Sequence, residues 1–144
     1  VVGVAYYFTP EERRMNMLRF GSPLFNLKNS ALASGSQDIA DFSSIPKAQK
    51  YLPFNFLQVT NNSEGEITIY FDSMPDVGKL IPKGTIMTFE NIWYRSIKYV
   101  NTDTVSISAN KIEFTGQLLP VSDELARTPD VPLIQKIKLI LGMS

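Results

Sequence analysis

The chain has no cysteine and no histidine. Without cysteine there is neither a disulfide framework nor a thiolate metal site. Without histidine the commonest general base at neutral pH and the commonest transition-metal ligand are both missing. Carboxylates, lysines and tyrosines remain, so an enzyme is the least supported reading, and neither a metal nor a cofactor is expected. Charge is also sparse. Charged residues make up 19% of the chain, fourteen basic against fourteen acidic. No cationic footprint of the kind that releases counterions from a phosphate backbone is present, and a nucleic-acid partner is not expected. A protein of near-zero net charge gains little from self-repulsion, so association is tolerated. No apolar run reaches the ~20 residues that cross a bilayer.

At 144 residues, 44% of them apolar, the chain is the size of one domain. Folding should bury roughly 68–70% of the unfolded surface, enough for a core without cross-links. The opening VVGVAYYF reads as a strand, or as the visible end of an anchor. TPEE, Thr9 to Glu12, is a helix start: a cap, a proline in the first turn and an acid three residues after the cap. The helix should end at Gly21, with Met15 and Leu18 sharing a face.

From residue 21 to residue 53 the pattern breaks down, with isolated apolar residues among Ser, Ala, Asn and Gly. Two readings stand: an extended arm over a neighbour, or an irregular segment covering its own domain. From Phe54 strand signals follow one another: FNFLQVT, EITIYF, KLI, TIMTF, IWYRSIKYV, VSIS and KIEFTGQL. Leu57 with Val59, and Ile67 with Ile69 and Phe71, alternate with polar or amphipathic neighbours. Short strands separated by turn signals at this spacing indicate an antiparallel β-sandwich or barrel. LQVTNNSEGEITI and IKYVNTDTVSI repeat one scheme of strand, asparagine, polar turn and strand, read as a hairpin solution used twice. The alternation slips near Arg95–Ser96, which suggests a bulge and leaves open which of Trp93 and Tyr94 faces out.

Candidate chemistry is thin. Asp72, Asp76 and Asp103 read as turn formers rather than calcium ligands. Asn61-Asn62-Ser63 is a glycosylation sequon. Trp93, Tyr94 and Tyr99, with Tyr70 near them, are candidate exposed aromatics for stacking a sugar. In VPLIQKIKLILGMS, residues Leu133, Ile134, Ile137, Ile140 and Leu141 would share one helix face, although IKLIL also fits a strand. Too apolar to be left in water, this segment is a candidate contact with a partner, with its own domain or with a membrane surface.

The stretches LQVTNN, ITIYF, LIPKGTIMTF and IKYVNTDTVSIS resemble the small β-sandwich or single jelly-roll proteins of viruses and phages, found as capsid, vertex, spike or tail components. The resemblance implies assembly through extended termini. The expectation is therefore a mainly β protein in three parts. Residues 1–53 form a strand, a short helix and an arm; 54–119 form the jelly-roll-like sandwich; 120–144 form a linker and an apolar segment. The expected role is a structural subunit of a virion, held by homo- or hetero-oligomeric contacts, with membrane contact through the termini left open. The alternatives are an extracellular carbohydrate-binding module and a surface-filament subunit assembling by strand addition.

Overall fold

A computed structural model describes residues 10–121. VVGVAYYF, the Thr9 cap and the apolar C-terminal segment lie outside them. Two units are distinguished: Pro23–Leu118, and a second that contains Val1–Ser22 and Leu119–Ser144. In the second unit, helix α1 (Pro10–Phe20) carries Glu11 and Glu12 in its first turn and Arg19 in its last, each sign matched to the helix dipole. Gly21 ends the helix with φ 77°, its N–H donating to the Met17 carbonyl at 2.7 Å; a side chain would be strained there. Met15 and Leu18 are buried, as their shared face requires, and the Val121 N–H donates to the Leu18 carbonyl at 2.8 Å.

The first unit is all β. Its strands are β1 (Phe25–Lys28), β2 (Gln37–Asp41), β3 (Phe54–Asn61), β4 (Ile67–Phe71), β5 (Lys79–Ile81), β6 (Thr85–Tyr94), β7 (Ser96–Asn101) and β8 (Ile112–Gln117). They form two four-stranded antiparallel sheets, ordered β1-β8-β3-β6 and β2-β7-β4-β5. This interleaving, with each sheet built from alternate pieces of chain, is the eight-stranded jelly roll. The fold is the antiparallel sandwich that the alternation indicates. Leu57 and Val59 on β3, Ile67, Ile69 and Phe71 on β4, and Ile112 and Phe114 on β8 all point inward and are fully buried.

The connections differ from expectation. Only β4 and β5 are consecutive and paired; every other step passes from one sheet to the other. The two asparagine turns, read as hairpins, are arches between sheets: β3 to β4, and β7 towards β8. Turn chemistry is local, whereas the choice of partner is set by burial across the whole unit, so similar residues serve both purposes.

Residues 23–53 are part of the sandwich unit. β1 pairs with β8 and β2 with β7, and both close the outer edges of their sheets. Between β2 and β3, two 3-10 turns, Phe42–Ser44 and Gln49–Tyr51, drop Phe42, Ala48 and Leu52 into the core. The buried Asn29 just after β1 ties this segment down. Its side-chain oxygen accepts the N–H groups of Lys111 and Ile112 at 2.9 and 2.8 Å, and its amide donates to the carbonyls of Ser30 and Ser108. A buried amide with all its partners fixes the loop.

The slip in alternation has two parts. Pairing between β3 and β6 shifts so that Asn91, Ile92 and Trp93 stand opposite Asn55 alone, with Asn91 at φ 61°. This is a bulge, earlier than expected. Arg95 then forms the whole connection from β6 in one sheet to β7 in the other. Its N–H donates to Asp72 Oδ1 at 3.0 Å and its carbonyl accepts from Phe42 at 3.1 Å.

Candidate interaction surfaces

Trp93, Tyr94 and Tyr99, the candidate exposed aromatics, do not form a platform. Tyr94 is 1% exposed and Tyr99 2%; Trp93, in the bulge, is half-buried. The bulge and the Arg95 corner reset the phase, turning Tyr94 inward at the end of β6, and on β7 Ile97 and Tyr99 point in while Lys98 points out. Tyr94 packs against Phe42, Phe54 and Phe71, with ring centroids 5.3–6.1 Å away. Its hydroxyl donates to the Phe56 carbonyl. Burial, aided by the negative charge of Asp72, raises the phenol's pKa well above its ordinary value. Tyr99 packs against Phe114 with tilted rings, centroids 5.0 Å apart, and its hydroxyl accepts the Ser30 N–H at 3.0 Å. Both rings are core.

The polar turn residues act on the backbone. Asp103 accepts the N–H groups of Glu66 at 3.0 Å and Thr104 at 2.7 Å, and these bonds lower its pKa. Glu64 accepts from both the N–H and the hydroxyl of Ser108; the hydroxyl bond is the larger cause of its lowered pKa. Asp38 is lowered in the same way, first by the Ser30 hydroxyl and then by the Ile39 N–H. Among the described residues no group of three acidic side chains is placed to hold a metal ion. The sequon asparagine, Asn61, is fully buried with its amide committed to the Gly65 and Ile81 carbonyls. In the folded chain it is a turn-former, not a glycan acceptor.

Two surface features stand out among the described residues, a groove and an apolar patch. A groove of about 740 Å³ is lined by Pro23, Phe25, Pro46, Lys47, Gln49, Lys50 and Tyr51, built where the 3-10 turns meet the start of β1. Phe25 lies between Phe54, stacked at 5.8 Å, and Tyr51 at 6.1 Å, and Lys50 sits over the Tyr51 ring at 5.1 Å. Sequence reasoning missed it because its residues come from segments without periodicity; the pairing of Pro46 with aromatic Tyr51 was the available signal.

The outer face of the β2-β7-β4-β5 sheet is the apolar one. The register aligns Ile39, Lys98 and Tyr70 in one row, and Gln37, Val100, Thr68 and Leu80 in the next. Ile39 is 59% exposed and Leu80 51%, with Val77 exposed in the β4–β5 connection. The Lys98 Nζ lies over the Tyr70 ring, 4.6 Å from its centroid, a cation–π contact. On the opposite outer face Asn26, Thr115, Gln58 and Thr88 form a polar row across all four strands, with Ile86 exposed on β6 beside it. Leu133, Ile134, Ile137, Ile140 and Leu141, expected to contact a partner, lie outside the described residues.

No protein-family model and no curated protein sequence matches the chain. Solved structures show remote likenesses. A cupin domain of an XRE-family transcriptional regulator from Enterobacter cloacae is 11% identical, with a TM-score of 0.39, covering 68% of this chain and 98% of its own. A cupin-superfamily protein from Desulfitobacterium hafniense is 9% identical, with a TM-score of 0.33, covering 69% and 79%. The coat protein of Tobacco streak virus, solved as a dimer, is 15% identical, with a TM-score of 0.37, covering 70% and 86%. The assignment of a jelly roll rests on the strand order itself.

Proposed function

We propose that this chain is a structural subunit of a virion, working through protein–protein contacts rather than catalysis. The observation that carries the reading is the apolar outer face around Ile39, Val77 and Leu80, on a unit whose loops are tied down by buried asparagines. Large side chains left in water on a rigid sheet are the raw material of an interface. A specific contact on the usual scale buries ~800 Å² per partner, within reach of one sheet face together with an apolar terminal segment. The resemblance of the strand-and-turn stretches to viral sandwich proteins supports the choice of a virion, and with it a place in the particle or on an extracellular surface.

Sedimentation of the full chain tests the reading. The full chain should be oligomeric, and removing residues 131–144 should yield monomers. A full-length protein that stays monomeric at high concentration would overturn it.

A further inference from the structure

Each sheet of a sandwich has two edges, and an edge offers a row of backbone N–H and C=O groups to any strand that arrives. Three of the four edges here are blunted. β1 has four residues and ends on Lys28; β2 carries Asp38 and Asp41; β5 has three residues, one of them Lys79. β6 is different. It has ten residues, TIMTFENIWY, with no Pro, Lys or Arg and a single charge at Glu90. Among the described residues it pairs with β3 alone. Its inward residues Met87 and Phe89 are only half-covered, while Leu57 and Val59 beside them on β3 are fully buried. Ile86 on its outer side is 63% exposed. The bulge at Asn91 limits the regular stretch to residues 85–90, about 20 Å of strand.

We propose that this edge pairs with the β6 of a second copy, antiparallel about a two-fold axis at Met87. The inference rests on the assembly reading and names one of its contacts. The register follows from the sequence. Centred on Met87, it sets Ile86 against Thr88 of the second copy and Thr85 against its Phe89. Glu90 then falls against Gly84, beside the oppositely charged Lys83. No like charges face one another, and β-branched and aromatic residues meet across the strands. The two copies then share one continuous sheet of eight strands, closed by a two-fold axis and therefore self-limiting.

The chain lacks cysteine, so Met87→Cys gives a single thiol. Paired about the axis, the two Cα atoms would stand about 4.5–5.5 Å apart, within the span that a disulfide bridges. The full-length Met87→Cys protein should form a covalent dimer under mild oxidation, while Gln58→Cys, at the centre of the same sheet, should not. Ile86→Lys with Thr88→Lys sets lysine against lysine and should lower the oligomer mass by at least twofold, whereas Gln58→Lys leaves it unchanged. An oligomer that persists in the double variant, with no Met87→Cys cross-link, would overturn the β6 pairing and leave the assembly reading standing. A monomeric wild type would overturn both. Loss of association on deleting residues 1–8, without the Met87→Cys cross-link, would identify a donated N-terminal strand as the occupant instead and overturn the self-pairing.

Discussion

Asn61 and Asn101, at the ends of β3 and β7, make the same hydrogen bonds. Each side-chain oxygen accepts the backbone N–H two residues on, from Ser63 and Asp103, both at 3.0 Å. Each amide donates to the carbonyl four residues on, Gly65 at 3.0 Å and Val105 at 2.8 Å. Each also reaches a segment outside its own turn, the Ile81 carbonyl at 3.1 Å and the Leu32 carbonyl at 3.2 Å. The two turns lead the chain out of opposite sheets, so one side-chain solution secures both crossings.

Replacing either asparagine with alanine takes the acceptor from one backbone N–H and one donor from each of two carbonyls. Asn61→Ala and Asn101→Ala should each cost about 2–4 kcal/mol in urea unfolding, whereas Asn62→Ala, exposed beside Asn61, should stay within about 0.5 kcal/mol. Equal stabilities for all three would refute the staple.

Gly116 on β8 lies beneath the aromatic cluster. A Cβ there would come within 2.8 Å of the Tyr94 hydroxyl and 2.9 Å of both Phe42 and Phe54. Gly116→Ala should therefore lower stability by about 1–3 kcal/mol through overpacking. Gly35→Ala isolates backbone strain, because Gly35 has φ 80° but open space around it; it should cost about 1 kcal/mol. Thermal melts of the two variants measure the difference.

Acid should weaken the fold through the turns. Glu64, Asp38 and Asp103 all have pKa values lowered in the folded state. Their contribution is present above the unfolded carboxylate pKa and is lost as pH falls through the lower folded values. Urea midpoints should drop from about pH 5 downward. Glu64→Gln should flatten that slope, since an amide does not titrate. An unchanged slope would remove Glu64 from the account.

At the alkaline end the sign reverses. The raised pKa of Tyr94 gives stability that is full below the ordinary phenol pKa and declines as pH rises above it. Tyr94→Phe should remove that alkaline loss, at a cost near neutrality of about 1–2 kcal/mol for the abandoned Phe56 carbonyl. Tyrosinate absorbance during an alkaline titration should show a phenol that ionises only on unfolding in the wild type and is missing from Tyr94→Phe.

β3, β4 and β8 were legible because alternation is a direct print of a half-buried sheet: Leu57 and Val59, or Ile67, Ile69 and Phe71, repeat at the period of the pleat, whereas VSIS, expected as a strand, makes only the isolated Leu32–Ile107 bridge and IWYRSIKYV divides between β6 and β7. β1 and β2 were not. FNLK and QDIAD are too short to show a period, and they become strands because β8 and β7 present edges to them. The assignment of strands to sheets was equally hidden, since an Asn-led turn looks alike whether it closes a hairpin or crosses the sandwich. For the candidate site, the slip that obscured Trp93 and Tyr94 was visible, but its cause, the Asn91 bulge followed by the Arg95 corner, depends on packing against β3 and Phe42. The groove between Phe25 and Tyr51 joins residues distant along the chain, with no periodicity to mark them.

Neither sheet is a contiguous piece of the polypeptide, because nearly every step laces one to the other. A cut anywhere between β2 and β7 leaves both halves holding fragments of both layers, with nothing complete to keep. The body should open as one cooperative event, its deepest amides in both layers exchanging together, and a particle built from it would meet mechanical load with units that hold entirely or fail entirely.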